Sequence, residues 1–207
     1  MFVTNHARPS RRQRERLRHR EEILTAAQAV FSEKGYVSAT MEEIAARSEY
    51  ALATVYNLFG NKAELYSETV LLQIERFRSE VRSALAQGET PRDKVARYFA
   101  CRMELFWQDP QFFRFFHHGP LGAIDAHTGF LPEVRRRYER VLRQLRDIFT
   151  EGIARGEFRP LGGELLALGL EGLLRVYVEA LSEREGTARS RETEQNLLDL
   201  FLKGAAA

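Results

Sequence analysis

The sequence predicts an all-α protein, with a small N-terminal unit of three helices followed by a larger helical region. Three observations carry this. Apolar residues recur every three or four positions along most of the chain, and no segment alternates as a half-buried strand would. Helix-start signals, a short polar residue just before an acid or a proline, recur between the apolar runs. Hydrophobic residues make up 44% of the 207, ample for a packed core.

The first helix carries Ile23, Leu24, Ala27, Val30 and Phe31 on one face and stops at Lys34-Gly35, a basic last turn followed by glycine. Thr40 opens a second, short helix, and Glu43 three residues on completes a capping box. A third short helix runs from about Ala51 to Phe59 and stops at Gly60. Asn61 and Glu64 start a long helix with Leu65, Val70, Ile74, Phe77, Val81 and Leu85 on one face, ended by Gly88. Thr90-Pro91 and Asp109-Pro110 each set a capping residue before a proline, whose missing N–H costs nothing in a first helical turn. Pro132 begins a helix with Val134, Tyr138, Val141, Leu145 and Ile148, ending near Gly156. Residues 163–182 form a helix that is apolar on more than one face, and a last helix spans about 191–203.

The overall charge of +2 hides an asymmetry. Residues 1–20 hold seven arginines against Glu15 alone, whereas residues 21–65 hold seven glutamates against Lys34, Arg47 and Lys62. A basic tail on an acidic body suits an arm that seeks phosphate; the alternative is a solvated helix extension that touches nothing. No stretch approaches the roughly 18 uncharged apolar residues of a membrane span. No apolar run follows the basic N-terminus, so it does not read as a secretory signal, and a cytoplasmic setting at the nucleoid is expected. The single cysteine, Cys101, excludes an internal disulfide and reads as a small buried residue. The chain has no Gly-rich phosphate loop, zinc-ligand spacing or Ser/His/Asp arrangement, so no enzyme, catalytic residue, metal or cofactor is expected.

Two short helices joined by a tight turn, between a capping helix and a long one, describe a DNA-reading unit, although any bundle has short helices. The residues narrow the choice. Ile23-Leu24-x-Ala26-Ala27, Phe31-x-x-Lys34-Gly35-Tyr36, Thr40 through Ile44-Ala45-Ala46, Thr54-Val55-Tyr56-Asn57-Leu58-Phe59 and Asn61-Lys62-Ala63-Glu64-Leu65 closely resemble the N-terminal signature of TetR/AcrR transcription regulators. The match covers about residues 21–66; beyond it only the phrase Glu151 to Arg159 looks familiar. The resemblance implies a basic arm (1–20), a helix-turn-helix DNA-binding domain (21–66) and a ligand-binding and dimerisation domain (67–207). It implies a homodimer on double-stranded operator DNA, probed by a small-molecule effector, most simply as a repressor.

Each implied role falls on a residue. Thr40, at a helix N-terminus, can take a phosphate. Tyr56 and Lys62 stand where the family touches the DNA backbone, and Arg16 and Arg18 join them from the arm. Tyr50, Ala51, Leu52, Ala53, Thr54 and Asn57 stand where the third helix would face the major groove, while Ile44, Val55 and Phe59 fit the small core beneath it. The sequence departs from the family at Glu49, where glycine is common, and at Ala51, where a serine-type cap is usual. A left-handed backbone at Glu49 would be strained.

In the C-terminal region, residues 98–118 are dense in aromatics. The resemblance implies a ligand cavity there, and Tyr98, Arg102, Met103, Phe106, Phe113, Phe116, His117 and Tyr138 are its candidate lining; taken singly, each reads as well as plain core. Arg102 or His117 would meet a polar head. Adjacent histidines on a helix point apart, so His117 and His118 do not make a metal pair. The last two helices have more apolar faces than one chain can cover, and Leu166, Leu173, Val176, Leu198, Phe201 and Leu202 are the candidate dimer interface. The alternative is that these helices are simply central in the monomer.

Overall fold

The computed structural model describes residues 10–110, 113, 128–182 and 188–205, and the chain divides into two compact units, Met1–Thr69 and Val70–Ala207. Among the described residues it is a set of eight α-helices without a strand.

In the first unit, α1 (Arg11–Ser38) begins inside the expected basic arm, nine residues before its expected end at residue 20. Ser10 caps it: the Gln13 N–H donates to Ser10 Oγ at 3.2 Å, and the Ser10 N–H donates to Gln13 Oε1 at 2.8 Å. The expected arm is therefore, from Arg11 on, the exposed first turns of the same helix that carries Ile23 to Phe31 into the core. Gly35, at φ +74°, breaks the helical conformation inside α1, where the sequence placed its stop. α2 (Met41–Ser48) has the reciprocal box expected of it, with Glu43 N–H on Thr40 Oγ1 and Thr40 N–H on Glu43 Oε2, both at 3.2 Å. α3 (Leu52–Phe59) follows after a turn in which Tyr50 N–H reaches Ala45 O at 3.1 Å. Its cap residue, Ala51, makes no side-chain cap, and the first turn closes on backbone alone, with the Thr54 N–H on Ala51 O at 2.8 Å. Ile23, Ala27, Ile44, Val55, Leu65 and Tyr66 are fully buried, so α1, α2 and α3 close on one small core.

Glu49 is the one described non-glycine residue at positive φ, +60°, where it ends α2 in the left-handed conformation. That region costs a residue with a Cβ about 1–2 kcal/mol, part of which glycine gives back through its freer unfolded chain. Glu49→Gly is expected to stabilise the first unit by about 0.5–1 kcal/mol, read from the urea midpoint at unchanged slope. A lower midpoint would mean that the Glu49 side chain contributes more than its backbone loses.

α4 (Lys62–Ala86), opened by the Glu64 N–H on Asn61 Oδ1 at 2.9 Å, runs through the division at Thr69. The second unit adds α5 (Pro91–Gln108), α6 (Leu131–Ala154), α7 (Gly163–Ser182) and α8 (Arg191–Ala205). α6 lies along α7, and α5 packs on both, around Val95, Tyr98, Met103, Phe106, Leu145, Phe149, Leu170 and Leu174. At Gly163 a Cβ would stand 2.3 Å from Thr150 Oγ1, so α7 starts against α6 with no room for a side chain.

The Glu151–Arg159 phrase proves to be a clasp. Phe158 is buried against Phe149 and over Gly152, Glu157 Oε2 accepts the Arg92 N–H at the start of α5 (3.0 Å), and the Arg159 N–H donates to Ala205 O at the end of α8 (2.8 Å).

Of the residues expected at a dimer interface, Leu166, Leu198 and Leu202 are buried in the core of the single chain, and Leu173 and Phe201 are half-buried. Only Val176 faces outward, at 58% exposure, in company that the sequence reading did not name: Leu165 at 60%, Leu168 at 51% and, on α8, Leu200 at 67%. A helix that is apolar all round shows its face only once its neighbours are in place.

Candidate functional site

The first unit presents α3 outward. Val55 and Phe59 point into the core, whereas Ala51, Ala53, Tyr56 and Asn57 are exposed; Leu52 and Thr54 are half-buried. That follows from helical spacing, because positions 55 and 59 share one face and positions 53, 56 and 57 the other. The exposed face is short and largely uncharged, and it offers one amide, one phenol and small apolar side chains.

Tyr50 is held against α1 instead. Its hydroxyl hydrogen-bonds the Glu22 carboxylate, and its ring stands 4.9 Å from that of His19. The Glu22 hydrogen bond, first, and then burial raise the phenol's pKa above its ordinary value.

Lys62 and Thr40, separated by most of the helix-turn-helix in sequence, meet at one place. The Lys62 ammonium donates to Ala39 O (2.9 Å) and Val37 O (3.2 Å) and lies 4.7 Å over the Tyr36 ring. A positive charge therefore sits beside the N-terminus of α2, where Thr40, engaged with Glu43 in the capping box, is exposed. Helix N–H groups and an ammonium at one point favour an anion.

The other cations of the head are engaged inside it. Arg20 donates to Leu58 O at 2.8 Å, pairs with Glu68 and covers the Phe59 ring at 4.5 Å. Lys34 pairs with Glu43 at 2.5 Å and Arg47 with Glu33 at 2.6 Å, and each hydrogen bond holds its carboxyl below the usual range. On α1, Arg11 pairs with Glu15 and Arg18 with Glu22. Among the described residues Arg12 and Arg16, one helical turn apart, have no acidic partner. Arg16 was foreseen as a DNA contact and Arg12 was not. What separates Arg16 from Arg18 is Glu22, four residues beyond Arg18 and within helical reach of it.

The second unit contains a buried polar cluster. Glu171 of α7, 4% exposed, accepts from the Tyr98 hydroxyl through Oε1 and from the Tyr138 hydroxyl through Oε2, the latter at 2.6 Å. Arg102 Nη1 is 3.5 Å from Glu171 Oε2, and the guanidinium lies 5.2 Å from the centre of the Phe77 ring. Burial, above all, pushes both phenols well up, with Glu171 adding to it. For Arg102 burial works against the charge, and Glu171 more than offsets it.

Three of the candidate ligand residues thus converge on an acid the sequence reading missed. Its signal was present: a lone carboxylate in the middle of an otherwise apolar stretch, Leu170-Glu171-Gly172-Leu173. Met103 and Phe106 are buried beside this cluster on α5, and Phe113 stacks edge-on against Phe106 at 5.6 Å. Phe116 and His117 lie outside the described residues, as does the arm before Ser10. The Cys101 thiol, half-buried, is pushed up to about 11 by burial, which favours the protonated thiol at neutral pH.

Comparison with known proteins agrees with this geometry. Residues 23–69 match the model of the bacterial regulatory proteins of the tetR family. The chain is 25% identical over 189 residues to the HTH-type transcriptional regulator YhgD of Bacillus subtilis, covering 89% of this chain and 95% of that one. It is 33% identical over 86 residues to the HTH-type transcriptional repressor KstR of Mycolicibacterium smegmatis, 42% of this chain and 41% of that protein. The fold is that of the B. subtilis transcriptional regulator FadR, solved in complex with stearoyl-CoA, with a TM-score of 0.75 at 20% identity over 89% of this chain and 98% of that one. Among the described residues no helix is long and apolar enough to cross a membrane. A helix-turn-helix with an outward α3 and the match from Ile23 to Thr69 identify the N-terminal unit as a DNA-binding head of the tetR family of bacterial regulatory proteins, on a chain whose fold matches that of such regulators over nearly its whole length.

Proposed function

We propose that the protein is a repressor. Two copies hold double-stranded operator DNA, residues 21–66 reading it and residues 67–207 pairing the copies and sensing an effector. An apolar or aromatic-bodied small molecule in the second unit releases the DNA. The observation that carries this reading is one chain holding both an exposed α3 and, in a separate unit, a buried polar cluster walled by aromatics.

In this reading Asn57, Thr54 and Tyr56 meet base edges and backbone at the groove, Ala51, Leu52 and Ala53 meet thymine methyls, and Thr40 with Lys62 takes one phosphate. Tyr50 buttresses α3 through Glu22. The second copy covers Leu165, Leu168, Val176 and Leu200. Gly172 supports this, since a Cβ there would meet nothing within 4 Å, so the single chain does not need glycine at that place. A second helix approaching closely would. The effector favours a dimer whose two α3 helices no longer match successive major grooves, with a coupling of about 1–3 kcal/mol. KstR is a repressor by name, and FadR holds an apolar-tailed molecule, which accords with the reading.

The test is operator selection from genomic fragments, footprinting, and transcription in a deletion strain. Two protected half-sites and raised transcription of the adjacent gene are expected. Asn57→Ala should relax base preference, whereas Lys62→Ala should weaken all sequences alike, each by about 1–3 kcal/mol. Lowered transcription on deletion would make the protein an activator, and a footprint on one half-site alone would remove the dimer.

A further inference from the structure

The cluster around Glu171 is not evenly satisfied. The carboxylate receives two hydroxyls and faces a guanidinium, so its oxygens are nearly filled. Arg102 is the reverse. A guanidinium has five N–H donors; Glu171, at 3.5 Å, and the Tyr98 hydroxyl are its polar partners among the described residues, while Nε, buried, has none. Its side chain is 9% exposed, so water does not make up the difference. A buried donor without an acceptor is costly, and it marks a place where an acceptor binds well.

Charge balance says which acceptor. Arg102 and Glu171 already neutralise one another, so a carboxylate entering here would leave one uncompensated negative charge in a desolvated site. An ammonium would meet Arg102 as a like charge, and Glu171 has few lone pairs left to offer it. An uncharged acceptor answers the donors and disturbs neither charge. The apolar side of the site is also in place. The Phe77 ring lies against the guanidinium, and Phe106 follows Arg102 by four residues on α5, one turn along the same face. Tyr138, in contact with Glu171 yet 40% exposed, connects the cluster to the surface.

We propose that the effector is an uncharged carbonyl compound, a ketone, ester or thioester with an apolar body, whose oxygen accepts from Arg102. This rests on the effector-sensing reading above and names the chemistry of that site. Tyr98, Tyr138 and Glu171 act as positioning residues that hold the guanidinium in its place. Glu171 is the counter-charge that makes a second anion unwelcome.

Trp107, the chain's one tryptophan, reports on the site. It lies five residues beyond Arg102 on α5 and packs edge-on against Phe106 at 5.1 Å. Its fluorescence is titrated with four probes of similar length, all below their micelle concentrations: methyl nonyl ketone, methyl decanoate, decanoate and decyltrimethylammonium. The two carbonyl compounds are expected to bind at least about tenfold more tightly than the two charged ones, one charge-assisted hydrogen bond against an unbalanced charge. Arg102→Lys, which keeps the charge opposite Glu171 but loses the planar fork and its Nε–H, should fold and lose that preference. Tightest binding of decanoate or of decyltrimethylammonium overturns the proposal, as does absence of binding by all four. Unchanged discrimination in Arg102→Lys overturns it too. Operator release, followed separately by fluorescence anisotropy of labelled DNA, keeps the two ideas apart. Release by a charged probe would leave effector sensing standing and sink the carbonyl head. Carbonyl binding lost in Arg102→Lys, without any effect on DNA, would do the opposite.

Discussion

Deleting residues 1–18 is expected to leave the protein folded and to cost about three orders of magnitude in operator affinity at 0.1 M salt. Folding survives because Arg11 to Arg18 are all exposed, while the buried side chains of α1 begin at Ile23. Arg20, which joins α1 to Leu58, Phe59 and Glu68, is retained. Affinity falls because the head that remains is acidic and its cations are occupied. Arg20, Lys34 and Arg47 each pair with a glutamate inside it. Arg12 and Arg16 have no such partner among the described residues, which makes two phosphate contacts per copy and four per dimer. Each contact released adds about 0.9 to the salt slope, so the log–log plot should become shallower by roughly 3 to 4. Base preference should change little, since phosphate contacts position and base contacts specify. The double substitution Arg12→Ala, Arg16→Ala should reproduce most of the loss, because alanine keeps α1 helical. Titration of the three proteins on one operator at several salt concentrations is the measurement. Equal slopes would make the extension a solvated helix, with the grip on DNA left to Lys62 and the α2 N-terminus.

Leu168→Glu together with Val176→Glu is expected to give a folded monomer. Both side chains are more than half exposed in the single chain, so the substitutions leave the protomer's packing untouched. At a two-fold interface they would bury four carboxylates without partners, at several kcal/mol each. Sedimentation should show the mass halved at micromolar concentration, with circular dichroism and the unfolding midpoint close to those of the parent. DNA binding should weaken by about 10²–10⁴, because the second head would no longer be delivered at the millimolar effective concentration that tethering gives. Leu198→Glu makes the informative contrast. Leu198 is buried in the protomer itself, so that variant should lose the fold along with the dimer. A double variant that still sediments as a dimer would place the contact elsewhere on the surface.

The two expectations differ in how far the sequence alone could take them. The helix starts were legible in short windows: Thr40 with Glu43, Asn61 with Glu64 and Thr90 before Pro91 are contacts over three residues, and the structure forms all three. Ser10 with Gln13 is the same signal, and it showed that the basic segment begins a helix; read as an arm by its charge, it was passed over. Ala51 as an uncapped helix start and Glu49 as a left-handed residue were readable too, since each departs from what its position favours.

The sequence by itself therefore determined the helices, their ends and the family of the DNA-reading head, because capping, spacing and backbone preference act between residues a turn apart. Only the tertiary structure decided which way an all-apolar helix faces. In α7, Leu165 is exposed and Leu166 buried, a distinction that periodicity cannot draw when both are leucine. It also decided which arginines are spent on glutamates within the head. The meeting of Tyr98, Arg102 and Tyr138 at Glu171 belongs to the same class, for it brings together three helices distant in sequence. A buried carboxylate finds its partners through the packing of α5, α6 and α7, and nothing local to Glu171 encodes them.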